Sequence, residues 1–274
     1  MKRSLPVAVL LAAASTLSTL STSSTAFAGP LPARDTADVG MKGDWSIGVF
    51  DPLKIAVHDG IELKGPSLLF LVAPNLTVRV AHFELFGFRF AGEYGVSTPS
   101  PLMNLLQGYV TPTYAEGGGK VGWFLVPSVG LVATRGNRWS RTLTFSADVA
   151  VGIPLTRDTT TAPNGVAPYD DLLSPIYGRV RVRLMSSYDA RLCLDWLRGR
   201  IWLGMSLHGT TYDSPSPIAL NGGLNLDLAV GKQSRFTLGV MWWNADTRAI
   251  DRATHAHVRS NDFLPTIDFI WAGY

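Results

Sequence analysis

The chain has 274 residues, 24 basic and 21 acidic, with a mean hydropathy of +0.16 and a single cysteine. This charge balance leaves no electrostatic footprint for nucleic acid, and lone Cys193 excludes an internal disulfide framework. Beyond the first residues no apolar run reaches the ~18 needed for a membrane helix, so the positive hydropathy has to be carried by strands.

Lys2 and Arg3 precede an apolar run, VAVLLAAA (7–14), a Ser/Thr-rich stretch and Ala26-Phe27-Ala28. This is the pattern of a secretory signal peptide cut after Ala28, spanning residues 1–28. No cysteine follows the cut to take a lipid anchor. Its removal leaves 22 basic against 21 acidic residues. Residues 29–43 read as a polar lead-in, and residues 44–274 as one β domain.

Strand signals start at Trp45. WSIGVF (45–50) alternates Trp45, Ile47 and Val49, and LKIAV (53–57) alternates Leu53, Ile55 and Val57. His58-Asp59-Gly60 suits a three-residue hairpin loop pairing Val57 with Ile61. Residues 73–96 read as two strands, with Leu76, Val78 and Val80 on one face of the first. Phe86, Phe88 and Phe90 share a face of the second. Residues 97–120 form a long loop in which PLMNLLQ takes a short helix. GWFLVPSVGLVAT (122–134) follows, bulged at Pro127, with a turn at Gly136-Asn137. RTLTFSADVAVGI (141–153) sets Leu143, Phe145, Ala147, Val149 and Val151 against Thr142, Thr144, Ser146 and Asp148. After a polar loop (154–175), YGRVRVRLM (177–185) sets Arg179, Arg181 and Arg183 against Val180, Val182 and Leu184. ARLCLDWL (190–197), with Cys193 as an inert strand residue, RIWLGMSLHGT (200–210), ALNGGLNLDLAVG (219–231), RFTLGVMWW (235–243) and FLPTIDFIWAGY (263–274) complete the set.

About a dozen strands result (10–14), many near the ~9–11 residues that cross a bilayer at a tilt. Short turns alternate with long loops. Small and neutral residues, with charges of both signs, oppose the apolar face. Aromatics at strand ends (Trp45, Trp139, Tyr177, Trp242, Trp271, Tyr274) suit interface girdles. In these features residues 44–274 resemble bacterial outer-membrane β-barrels as a class. The ending departs from that class, because Tyr274 falls opposite the face of Phe263, Ile267, Phe269 and Trp271. The resemblance implies an all-β antiparallel transmembrane barrel in the outer membrane of a Gram-negative cell envelope. Outer-membrane lipid and lipopolysaccharide would then surround it.

A barrel of this kind turns Arg79, Arg89, Arg179, Arg181, Arg183 and Arg235 into the lumen, together with Lys54, Arg191 and Arg200. Inward acids would be Glu62, Glu93, Asp148, Asp195, Asp227 and Asp268. With bases in excess, the lumen suits small anionic solutes in a porin-like channel. The bland reading is a filled barrel cross-braced by ion pairs. A second class of function is a non-conducting anchor for protein partners in an envelope-spanning secretion, motility or polysaccharide-export machine. A third is an outer-membrane lipid hydrolase. Its local candidates, His255, His257 and Ser260, lie in a polar loop without a nucleophile motif or zinc spacing. The expectation is a protein that is not an enzyme and holds no cofactor, metal or nucleic acid.

Overall fold

A computed structural model describes residues 31–66, 74–106, 122–156, 180–194, 196–209, 218–231, 233–246 and 259–273. The strands are β1 (Trp45–Gly48), β2 (Leu53–His58), β3 (Ile61–Gly65), β4 (Asn75–Leu85), β5 (Phe88–Ser97), β6 (Phe124–Asn137) and β7 (Arg141–Val151). They continue as β8 (Ile153–Pro154), β9 (Val180–Arg191), β10 (Leu197–Gly209), β11 (Ile218–Ala229), β12 (Ser234–Asp246) and β13 (Arg259–Gly273). One short helix, α1 (Ser100–Leu106), lies between β5 and β6. Every pairing is antiparallel. Each strand lies beside its chain neighbour, and β1 closes on β13 through Trp45↔Gly273 to Gly48↔Ile270. β8 continues β7 across Gly152 and pairs with the start of β6. The result is a closed barrel of twelve staves.

The two ends differ. The β2–β3, β4–β5, β6–β7, β9–β10 and β11–β12 connections are all short and share one end, where β1 starts and β13 finishes. Apart from the tight β1–β2 turn, the opposite end takes the longer connections, including 98–123 and 155–179. At the short-turn end Asp59-Gly60 and Phe86-Gly87 make two-residue turns, with positive φ at Gly60, Phe86 (+51°) and Gly87. Positive φ at both central residues matches the right-handed twist of a hairpin, and a bulky Phe adopts it only under strain.

Alternation sets the section of the wall. Along β7, Leu143, Phe145 and Val149 are exposed while Thr142 and Thr144 are buried. On β9, Val180, Leu184 and Tyr188 face out against Arg181, Ser187 and Asp189. On β10, Ile201 and Leu203 oppose Arg198, Arg200 and Ser206. Apolar residues thus cover the outside and charges fill the inside, the reverse of an ordinary globular domain.

Several sequence expectations shift. The β2–β3 loop has two residues, with His58 opposite Ile61 and a bulge between Ala56 and His58. Val57 is the extra residue, so it does not pair with Ile61. Phe86 sits in a turn rather than on the face of Phe88 and Phe90. Pro127 runs through its ladder opposite Val96 without a bulge. β6 continues through Gly136 and Asn137, so its turn comes at 138–140. ARLCLDWL does not make a strand, because β9 runs through Arg191 and a turn leads to Leu197, leaving Cys193 exposed in that turn. Trp45, Trp139 and Trp271 gather at the short-turn end and Trp242 lies towards the other. Tyr177, Tyr274 and Asp195 lie outside the described residues.

Candidate functional site: a lumen occupied by residues 31–40

The inward charges are matched strand by strand. Arg79 and Glu93 are register partners on β4 and β5, and the guanidinium donates to Glu93 Oε1 from Nη2 (2.6 Å) and Nε (2.9 Å). Lys64 Nζ reaches the same oxygen at 2.7 Å. Arg181 and Arg183, two residues apart and therefore on one face of β9, both bind Asp148, at 3.0 and 2.5 Å. Asp148 lies directly opposite Arg183 on β7. Arg235 Nη1 donates to Asp227 Oδ2 at 2.9 Å, and Thr237 Oγ1 donates to Oδ1 at 2.8 Å. Arg198 is 1% exposed and pairs with Asp189. Such cross-strand pairs are the unit from which sheet faces are stabilised. Arg179, His255 and His257 lie outside the described residues, and of Ser260 only its place at the start of β13 is described.

Residues 31–40, expected as a lead-in, lie inside the barrel near its short-turn end. Their backbone, bent around residues 34–37, belongs to no ladder, so each buried polar group needs another partner. Ala33 N donates to Arg138 O (2.7 Å) and Ala37 N to Thr134 Oγ1 (2.8 Å). Three lumen arginines donate to its carbonyls: Arg198 to Leu31 O, Arg235 to Pro32 O and Arg79 to Thr36 O, at 2.8, 2.8 and 2.7 Å. Its side chains complete the fit. Arg34 joins Asp227 at 3.2 Å, and Asp38 pairs with Arg89. Asp35 takes Lys54 Nζ at 3.1 Å and Arg200 Nη1 at 2.7 Å. Asp35 has φ +53°, a left-handed bend that Asp tolerates better than most side chains. The segment contacts β2, β4, β5, β6, β9, β10, β11 and β12. Beside it remains a cavity of about 140 Å³, lined by Arg34, Asp35, Lys54, Glu62, Arg79 and Arg235 among others.

Lys54, and next Arg200 and Lys64, hold the Asp35 carboxyl well below the usual carboxylate range against the opposing effect of burial. Burial works to lower Arg34, but Asp227, Asp51, Asp35 and Asp189 outweigh it and raise it. A depressed carboxyl contributes stability above its unfolded value and loses it as pH falls through the folded one. The segment should therefore stay seated from pH 7 to pH 5 and loosen only below about pH 4. Ala37→Cys in a Cys193→Ser background tests this with 4,4′-dithiodipyridine, which reacts with thiols in acid. The rate should be flat down to pH 5, and a rise between pH 6 and 5 would contradict it.

Arg79, Arg89, Arg181, Arg183 and Arg235 thus face one lumen, as their strand positions imply. The expected basic excess persists but is shared out: Glu93, Asp148, Asp227 and Asp35 each take two cations, and the internal segment adds two acids for one base. Sequence reasoning missed Arg34, Asp35, Asp38, Asp189 and Arg198. The signal for the first three was present: ARDTAD (33–38) holds three charges in a chain only 16% charged. No family model matches the chain, and no curated protein matches it.

Proposed function

We propose that the protein is an outer-membrane β-barrel that admits small solutes through a lumen restricted by residues 31–40. The observation that carries this reading is the inverted section of the ring. Exposed Leu, Ile, Val and Phe cover its outside, and ion pairs fill its inside. Water disfavours such a surface, whereas a bilayer favours it, and a closed barrel leaves no unsatisfied edge in lipid. Short turns belong on the periplasmic side in this class, so the internal segment would stop the lumen from the periplasm. Because every described lumen cation in these pairs shares a carboxylate while bases still outnumber acids, selectivity for anions should be modest.

One outward substitution separates membrane from water. Leu203 is 59% exposed, midway along β10. Leu203→Arg should cost about 2–4 kcal/mol of folding stability in a phosphatidylcholine bilayer, as a charge does at the midplane of a lipid-facing wall. The measurement is urea unfolding followed by heat-modifiable gel mobility. A change below about 0.5 kcal/mol is the surface-substitution result and would sink the membrane reading.

A second reading is favoured by the cross-bracing: a permanently closed anchor for envelope partners. Planar-bilayer recording distinguishes the two. Small, steady conductance supports the restricted pore, whereas insertion without conductance supports the anchor.

A further inference from the structure

The lumen cations paired above each meet a carboxylate. A different group of cations does not. Arg135, Arg138 and Arg141 lie within seven residues at the β6–β7 turn, on the short-turn end. Arg135 stands opposite Phe88 and Leu143, both on the outer face, so it too faces outward. Arg141 shares the face of Leu143 and Phe145, and it is exposed. Among the described residues no carboxylate pairs with any of the three. Arg135 lies 5.7 Å from the Phe88 ring; Arg138, half-buried beside the luminal cavity with its backbone O taking Ala33 N, keeps its guanidinium 4.8 Å from the Trp139 ring. The nearest acid on the adjoining hairpin, Glu84, stands opposite inward-facing Arg89.

The adjoining β4–β5 hairpin is aromatic. Phe83 stacks on Phe90 at 4.9 Å, Phe88 lies 6.4 Å from Phe145, and Phe86 at the tip is 86% exposed. A bulge between Ala81 and Glu84 adds a residue to β4, and Phe83 lies within it. Aromatic rings suit the boundary between hydrocarbon and headgroups, and arginines stacked beside them sit at the height of the phosphates. Guanidinium binds a phosphate through two parallel hydrogen bonds.

From this charge complementarity we propose that Arg135, Arg138 and Arg141, with Phe86, Phe88 and Trp139, form a docking surface for the headgroups of anionic phospholipids in the leaflet facing the short turns. This rests on the membrane reading above. Arginines beside an anionic surface attract its headgroups, so anionic lipid should be enriched roughly tenfold or more beside the turn.

The test uses the full barrel in phosphatidylcholine vesicles containing phosphatidylglycerol, with bromine placed on one lipid at a time. Quenching of Trp139 is read as the difference between the protein and its Trp139→Phe form. Stronger quenching by brominated phosphatidylglycerol, lost in an Arg135→Gln, Arg138→Gln, Arg141→Gln variant, is the expected result. Equal quenching by the two lipids overturns the proposal, as does a preference that survives the triple substitution. Replacing chloride by inorganic phosphate at the same ionic strength should leave the preference intact. A loss specific to phosphate would make the patch a free-phosphate site and also overturn it. Co-flotation with both vesicles keeps the two proposals separate: a protein that floats without preference refutes only this one, and a protein that does not float refutes the membrane reading itself.

Discussion

Asp227→Asn should lower the stability of the barrel by about 3–5 kcal/mol, the usual cost of removing one partner from a buried ion pair. Asp227 is 1% exposed and receives Arg235, Thr237 and, from the internal segment, Arg34. Asparagine keeps the shape and loses the charge. Two guanidinium groups then share a dry site, and the amide offers one acceptor where the carboxylate offered two. Neither arginine escapes by losing its proton. Equilibrium urea unfolding in detergent, followed by gel mobility, gives the number. Asp268→Asn is the control, because Asp268 accepts the Phe50 and Asp51 backbone N–H groups outside this cluster. A loss at Asp227 below about 1 kcal/mol would mean that the lumen is wet enough to screen its charges like a protein surface.

The second large effect concerns passage. Asp35→Ala with Asp38→Ala removes the carboxylates that tie the internal segment to Lys54, Arg200 and Arg89. The backbone bonds to Arg79, Arg198 and Arg235 persist, so the segment should be loosened rather than expelled. Conductance in a planar bilayer should rise several-fold and fluctuate. Selectivity should move as well: two negative charges leave the lumen, Arg200 and Arg89 lose their counterions and Lys54 keeps only Asp51, so a salt gradient should show a stronger preference for anions. Unchanged conductance would favour the cross-braced anchor. Increased conductance with cation preference would contradict the charge assignment of the lumen.

Period-two alternation made the barrel legible, because it survives in β7, β9, β10 and β11 without interruption. The stave number and the inward direction of Arg79, Arg89, Arg181, Arg183 and Arg235 followed from it. Alternation is blind where chain direction reverses, and this explains the misplaced strand at ARLCLDWL. Leu192, Leu194 and Trp196 continue an apolar rhythm through a turn, hiding Asp189 and Arg198 as a diagonal pair across the β9–β10 hairpin. It is equally blind at Phe86, where a residue with strand character occupies a left-handed turn position. The internal segment was hidden for another reason. Its structure comes entirely from partners far along the chain, up to 203 residues away for Pro32 and Arg235, and such pairing leaves no local period. Only its density of charge betrayed it.

That separation has a consequence for the order in which the molecule is made. Residues 31–40 leave the ribosome early, yet their seat consists of side chains on eight strands, the last of them β12. The seat does not exist until most of the wall has been laid down, and β13 must still reach β1. The segment therefore waits, uncommitted, while the wall is laid down. Pro32 and Gly40, with few apolar residues between them, suit that wait by favouring neither helix nor strand. Its docking should be the final kinetic step of assembly, slower than wall formation and separable from it in a refolding experiment.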